Sequence, residues 1–203
     1  DEDQLFALLQ SEYTRAGKSL NEIETGAIII TGESSKASNA RLSIMNLADR
    51  LGDFVVATAG PHLESVIAGR GSGAADFSDS RSARVLNIDI GGGTSNYVLF
   101  DNGRVIDTAC LNVGGHLIET DQAGRVTRVR EPAAKVLRLL FPGSIPQPGA
   151  LTRSDLERVA QHMADLVVDL IEGLSSPLLE ELMMTPPLKE IGKLDALFIS
   201  GGV

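Results

Sequence analysis

The 203-residue sequence predicts an α/β fold built as two lobes. Three observations predict it. Short apolar runs that read as strands alternate with stretches of helical periodicity. Three glycine turns, at 91–93, 114–115 and 201–202, each follow directly on an apolar run. A stretch rich in glycine, serine and aspartate, 69–83, separates two strand-bearing halves and reads as a domain boundary or hinge.

The first 25 residues read as an acidic amphipathic helix, with Leu5, Leu8, Leu9 and Tyr13 on one face and Gly17 to end it. Ala27 to Ile30 is a short continuous apolar run, the pattern of a buried parallel strand. It ends in Thr31-Gly32-Glu33, polar groups where open α/β sheets bind ligands. Ser34 or Ser35 caps a helix to about Arg50, with Ala40, Ile44, Leu47 and Leu51 inward and Gly52 as its stop. Phe54 to Ala59 is the next strand. Pro61 opens a helix that Gly69 closes, proline being well suited to a first helical turn.

Beyond the glycine-rich stretch, strands are expected at Val85–Ile90, Tyr97–Phe100, Val105–Thr108 and Ala109–Val113, joined as an antiparallel meander. Asp101-Asn102-Gly103 supplies strong turn chemistry between the second and third. Residues 119–150 are charged, proline-bearing and weakly periodic, and read as an insertion. Thr152 with Asp155 resembles a capping box, opening a helix whose stripe runs Leu156, Val159, Met163, Leu166, Val167 and Leu170 to Gly173. A shorter helix spans about Pro177 to Met184, and Ala196 to Ile199 is the last strand.

Composition excludes several classes of function. Aromatics are 4% with no tryptophan, and the net charge is −9, so neither stacking platforms nor a basic face for nucleic acid is present. No apolar run is long enough to span a bilayer. The one cysteine, Cys110, sits in an apolar run and reads as a small core residue in a reducing cytoplasm. His62, His116 and His162 have no metal-ligand spacing.

The chemistry concentrates in IDIGGGTSNYVLF, residues 88–100. Asp89 interrupts the most apolar strand in the chain, where an unpaired charge would be costly. Gly91, Gly92 and Gly93 follow at once, then Thr94. Glycines let the backbone approach a ligand, and successive free amides form a concavity suited to phosphate oxygens. Thr94 adds a hydroxyl, and Asp89 can hold a magnesium-bound water or polarise an attacking one. A plain glycine-rich hairpin with a strand-end aspartate would explain the glycines but not the acid. No repeat of roughly 20–50 residues links the three turns, so convergence on one ligand is the simpler account.

With these motifs in hand, the sequence resembles the actin-like ATPase superfamily, on the ribonuclease-H-like fold. Asp89-Ile90-Gly91-Gly92-Gly93-Thr94 is similar to its second phosphate motif, Ala59-Gly60-Pro61 through Gly69 to its connecting helix, Leu111 to Gly115 to a glycine-pair loop, and Phe198 to Gly202 to its adenosine motif. More closely, 26–41, 51–69, 85–97 and 108–121, about a third of the chain, resemble the ethanolamine ammonia-lyase reactivating factors of ethanolamine utilisation. The resemblance implies an ATP- and Mg2+-dependent chaperone that promotes release of damaged cobalamin from the adenosylcobalamin-dependent lyase. It implies Asp89 as catalytic and metal-holding residue, and Gly91, Gly92, Gly93, Thr94, Gly114, Gly115, Gly201 and Gly202 as nucleotide-binding residues. It implies a cytoplasmic, microcompartment-associated protein whose partner is the lyase. Residues 1–69 would be the remainder of a first lobe with the connecting helix, and 84–203 the nucleotide-binding lobe.

Two departures accompany the resemblance. The first phosphate motif is expected upstream of residue 1, and the helix after the adenosine turn beyond residue 203, so the fold is expected to be incomplete at both ends. The acid or amide expected before the connecting helix falls on Gly60, leaving Glu33 or Glu64 to take its part. A small-molecule kinase of the same superfamily, a non-hydrolysing nucleotide-dependent scaffold and a nuclease on the related sheet are the competing readings. The nuclease would need several clustered acids, where only Asp89 is well placed.

Overall fold

The computed structural model describes residues 2–30, 38–143 and 148–202. The chain forms two compact units, Asp1–Gly60 and Pro61–Val203. The α/β class expected from the sequence is the class observed.

In the first unit, helix α1 (Glu2–Arg15) packs on α2 (Ser38–Leu51), and strands β1 (Gly26–Ile30) and β2 (Phe54–Thr58) pair in parallel. Parallel strands need a crossover, and α2 supplies it. Leu47 and Leu51 of α2 are buried as its periodicity predicts. Arg50 reaches α1, bonding Asp3 at 2.8 Å and lying over the Phe6 ring. Thr31-Gly32-Glu33 and the cap expected at Ser34 or Ser35 lie outside the described residues.

The second unit is built on a four-stranded sheet ordered β5-β4-β3-β8, from β3 (Arg84–Ile90), β4 (Ser95–Asp101), β5 (Arg104–Leu111) and β8 (Ala196–Ser200). The meander is antiparallel and β8 joins it parallel to β3. Asn102 and Gly103 turn β4 into β5, both with positive φ, the backbone that a two-residue hairpin loop requires. Helices lie on both faces. Leu86, Ile88, Tyr97, Leu99 and Leu111 pack with residues of α5 (Glu131–Leu140), α6 (Arg153–Glu172) and α7 (Pro177–Leu182). Val85, Val98 and Phe100 pack on the other face against Val66 of α3 (Pro61–Gly71) and Ala74 and Ala75 of α4 (Ala74–Arg81).

Three expectations are corrected. The stretch 69–83 is not a loop: α3 runs on to Gly71, and α4 follows after a turn at Ser72 and Gly73. It folds because Ala74, Ala75 and Ser78 are small enough to bury against the sheet, despite a composition that reads as linker. The two strands expected at 105–108 and 109–113 are one strand, since no turn residue interrupts them; only Ile106 falls out of register, as a bulge. The segment 119–150 holds a hairpin, β6 (Ile118–Thr120) with β7 (Val126–Val129), and then α5. The Asp121 carboxylate closes that hairpin by accepting the Arg125 amide, the Arg125 guanidinium and the Ala123 amide, which in that order hold its pKa below the usual carboxylate range. In α5, Ala133, Val136 and Leu137 form a short inward stripe diluted by charged neighbours. The capping box of α6 is as expected: Thr152 Oγ1 accepts the Asp155 amide and Asp155 accepts the Thr152 amide at 2.9 Å.

Tyr97 ties the sheet to α6, its phenol donating to Val167 O at 3.2 Å from a fully buried position. Burial, and secondarily Cys110, push that phenol well above its ordinary value. A raised folded pKa stabilises the fold at neutral pH, and the contribution is lost as pH rises above about 10, at about 1.4 kcal/mol per unit. The full-length protein should therefore lose melting temperature more steeply between about pH 10 and 11.5 than Tyr97→Phe, whose neutral-pH stability is lower by about 1 kcal/mol. Parallel alkaline curves for the two proteins would contradict this assignment.

Candidate functional site

Strand β3 carries the site because it alternates between two buried faces. Leu86 and Ile88 enter the core under α5–α7, while Val85, Asn87 and Asp89 face α3 and α4. Asp89 is half-buried near the strand end, and its Oδ1 accepts the Ser200 hydroxyl at 2.8 Å. Its Oδ2 has no partner among the described residues.

The β3–β4 turn, Gly91 to Thr94, is held by backbone alone. Gly91 N–H donates to Thr94 O at 2.9 Å, closing the turn, and the carbonyls of Gly91 and Gly92 accept the amides of Gly115 and His116 at 3.0 and 2.7 Å. This docking brings two backbones into contact. A Cβ on Gly114 would sit 2.5 Å from Gly91 O and 2.7 Å from the carbonyl carbons of Gly92 and Gly93. The third turn arrives in the same way: Gly201, at φ +119°, places its Cα where a Cβ would lie 2.0 Å from Ile90 O. Glycine is the only residue these two contacts admit. Ser95 Oγ, donating to Val113 O at 2.8 Å, adds a side-chain tie between the first two turns.

The three glycine turns thus meet around the end of β3. Gly91, Gly92, Gly93, Gly114, Gly115 and Gly201 are brought together; Gly202 is exposed with open space around it. Among the described residues, the amides of Gly92, Gly93 and Thr94 and the Thr94 hydroxyl have no partner. Consecutive unpaired donors directly after a strand with a carboxylate near its end fit a phosphate group and a hard cation. No group of three or more His, Cys, Asp or Glu side chains gathers among the described residues. A cation here would therefore find at most two such side chains among them, the mode in which Mg2+ keeps waters and shares phosphate oxygens.

The full chain, residues 1–203, matches the family model described as ethanolamine utilisation protein EutA. The chain belongs to this family. It is 52% identical to the ethanolamine ammonia-lyase reactivase EutA of Salmonella typhimurium over 202 residues, and 50% identical to the reactivase EutA of Escherichia coli. Each alignment covers 100% of this chain and 43% of the relative, so the chain spans less than half the length of these curated relatives. Among solved structures, it is similar to a Ppx/GppA family member of Aquifex aeolicus, with TM-score 0.49, 17% identity and coverage of 85% of this chain and 46% of the other. It is also similar to MreB5 of Spiroplasma citri bound to ADP, with TM-score 0.44, 17% identity and coverage of 100% and 64%.

Several residues of this family member's site go unmarked in a reading of motifs. Asn87 lies two positions before Asp89 on the same face and is fully buried, a second polar interruption of the strand. Asn96, paired directly across from Asp89, is 1% exposed and its Oδ1 has no partner among the described residues. His116 is exposed and lies against Gly92, whose Cβ would come within 3.2 Å of Nδ1. The alternation of β3 was the signal for Asn87. His116 had none, because its place depends on the docking of distant turns. No helix among the described residues is long and apolar enough to cross a membrane.

The docking makes a test. Gly114→Ala should destabilise the protein by about 1–3 kcal/mol, or roughly 5 °C in melting temperature, because the methyl meets backbone. Gly93→Ala, at a negative φ with nothing within 4 Å, should leave the melting temperature unchanged. Equal melting temperatures for the two variants would show that the turns do not dock as described.

Proposed function

We infer that the chain supplies the phosphate- and metal-binding half of a nucleotide site in an actin-like ATPase, and that the whole protein acts as an ATP-dependent reactivating chaperone. Its partner is the adenosylcobalamin-dependent ethanolamine ammonia-lyase, from which it promotes release of damaged cobalamin. The observation that carries the nucleotide reading is the run of unpaired amides at Gly92, Gly93 and Thr94 directly after the strand that carries Asp89. The lyase as partner rests on the names of the relatives. Residues 1–69 would be the remainder of one lobe with its connecting helix, and 84–203 the nucleotide-binding lobe.

Each residue has a part in this reading. The amides of Gly92 and Gly93 donate to phosphate oxygens, and the Thr94 hydroxyl adds a further donor. Gly114, Gly115 and Gly201 keep the turn closed so that those amides stay aimed; Gly202 continues the third turn. Mg2+, when bound, offsets phosphate charge. Asp89 would hold it through water and accept a proton from an attacking water. A second reading, a non-hydrolysing nucleotide-dependent scaffold, is favoured by Gly60, which leaves no carboxylate or amide side chain just before α3.

Gly93→Val is the suitable block, because a side chain there meets nothing, whereas one at Gly92 would press on His116. In the full-length protein it should abolish Mg2+–ATP binding with the melting temperature kept. Asp89→Asn should slow single-turnover ATP hydrolysis by roughly a hundredfold, the range for loss of one acid–base group, with nucleotide still bound. Unchanged hydrolysis would remove Asp89 from the chemistry, and absence of hydrolysis in the unaltered protein would favour the scaffold. For the partner, the full-length protein with ATP, Mg2+ and free adenosylcobalamin should restore activity to lyase inactivated by damaged cofactor. A flat restoration assay would overturn the chaperone reading.

A further inference from the structure

Asp89 is the end of a chain of side-chain hydrogen bonds that crosses the sheet face. Ser200 Oγ donates to Asp89 Oδ1 at 2.8 Å, Asn87 Nδ2 donates to Ser200 Oγ at 3.2 Å, and Ser72 Oγ donates to Asn87 Oδ1 at 2.7 Å. Proton counting fixes the direction. A carboxylate has no proton to give, so the single hydroxyl proton of Ser200 goes to Asp89. Ser200 Oγ must then accept, which requires the amide nitrogen of Asn87 there and leaves its oxygen for Ser72. Every bond points toward the charge, the arrangement in which such bonds reinforce one another.

The chain joins parts far apart in sequence: Ser72 in the α3–α4 turn, Asn87 on β3 and Ser200 at the end of β8. Asn87 is 0% exposed, between Leu86 and Ile88 of the central strand. An apolar side chain of its size would fill that position without needing partners, so packing alone does not call for an amide. At the far end, the Ser72 hydroxyl has two acceptors for one proton, Asn87 Oδ1 at 2.7 Å and Gly69 O at 3.1 Å. Its oxygen also takes the Ala74 amide at 3.3 Å, at the first residue of α4. A shift at this corner would move the proton from Asn87 to Gly69 and release the chain at its origin.

We propose that Ser72, Asn87 and Ser200 are positioning residues that couple the α3–α4 corner to the Asp89 carboxylate, fixing Oδ1 so that Oδ2 is presented to the metal of a bound nucleotide. This rests on Asp89 being the metal-holding carboxylate. The relay sets metal affinity at the nucleotide and leaves the amides of Gly92 and Gly93 untouched.

The test uses the full-length protein with ADP and Mn2+ as probes. Free Mn2+ is followed by its paramagnetic resonance signal, alongside ADP affinity in EDTA and the melting temperature. Ser200→Ala should weaken Mn2+ binding at bound ADP about tenfold, as loss of an outer partner of a metal-holding group does; metal-free ADP affinity is the control in Ser72→Ala, where it should be unchanged. Ser72→Ala should weaken Mn2+ binding in the same sense, and Ser200→Thr, which keeps the hydroxyl, should restore it. If Asp89→Asn abolishes Mn2+ binding while Ser200→Ala and Ser72→Ala retain it at full strength, the relay is overturned and the role of Asp89 stands. If Asp89→Asn leaves Mn2+ binding unaltered, the role of Asp89 falls and the relay with it. Should Ser200→Ala fold poorly, Ser72→Ala decides, since Ser72 lies in a turn away from the carboxylate.

Discussion

Everything at this site depends on one contact: the main chain of Gly114 lying directly on the main chain of Gly91–Gly93. Two hydrogen bonds, Gly115 N to Gly91 O and His116 N to Gly92 O, lock that contact. They use the carbonyls of the turn and leave the next amides unpaired. Three consecutive open amides following the satisfied carbonyls of Gly91 and Gly92 form a concavity poised for an anion. Gly201 against Ile90 O brings in the third turn by the same means. The sheet order makes this possible, since β8 lies beside β3 and the β5 exit lies one strand beyond β4.

The sheet also places the polar groups. Residues paired across β5, β4, β3 and β8 form a row of Cys110, Asn96, Asp89 and Ser200 on the face toward α3 and α4. One register step away on β3 lies Asn87. Polar side chains here interrupt the buried strands β3 and β4, whose opposite face packs Leu86, Ile88, Tyr97 and Leu99 into the core. Small residues at the sheet-facing side of α4, Ala74, Ala75 and Ser78, let that helix sit close over β3. A bulkier face would leave Ser72 out of reach of Asn87.

Much of this was legible in the residues. Asp89 with three glycines, the glycine pair at 114–115 and the terminal pair at 201–202 each carry local chemistry that reads directly, and the capping box of α6 does as well. What was hidden depended on tertiary contact. Residues 74–81 have linker composition, and only the sheet beneath them makes their alanines a helix face. The stripe of α5 spans too few turns to stand out among Lys135, Arg138 and Glu131. The continuity of β5 through Thr108 and Ala109 and the bulge at Ile106 are set by pairing with β4, which no local pattern marks. Asn87 was masked by the more conspicuous acid two residues on, and Ser72 and Ser200 are ordinary serines until the fold lines them up.

Docking satisfies the carbonyls of Gly91 and Gly92 and reserves the amides of Gly92, Gly93 and Thr94 for a ligand. Residue-resolved hydrogen exchange on the full-length protein, with and without Mg2+ and a non-hydrolysable ATP analogue, tests it most directly. Without ligand, the amides of Gly91, Gly115 and His116 should be protected and those of Gly92, Gly93 and Thr94 should exchange freely. With ligand, the second group should become protected while the first stays as it was. Protection of Gly92 to Thr94 in the absence of ligand, or free exchange in its presence, would contradict the account.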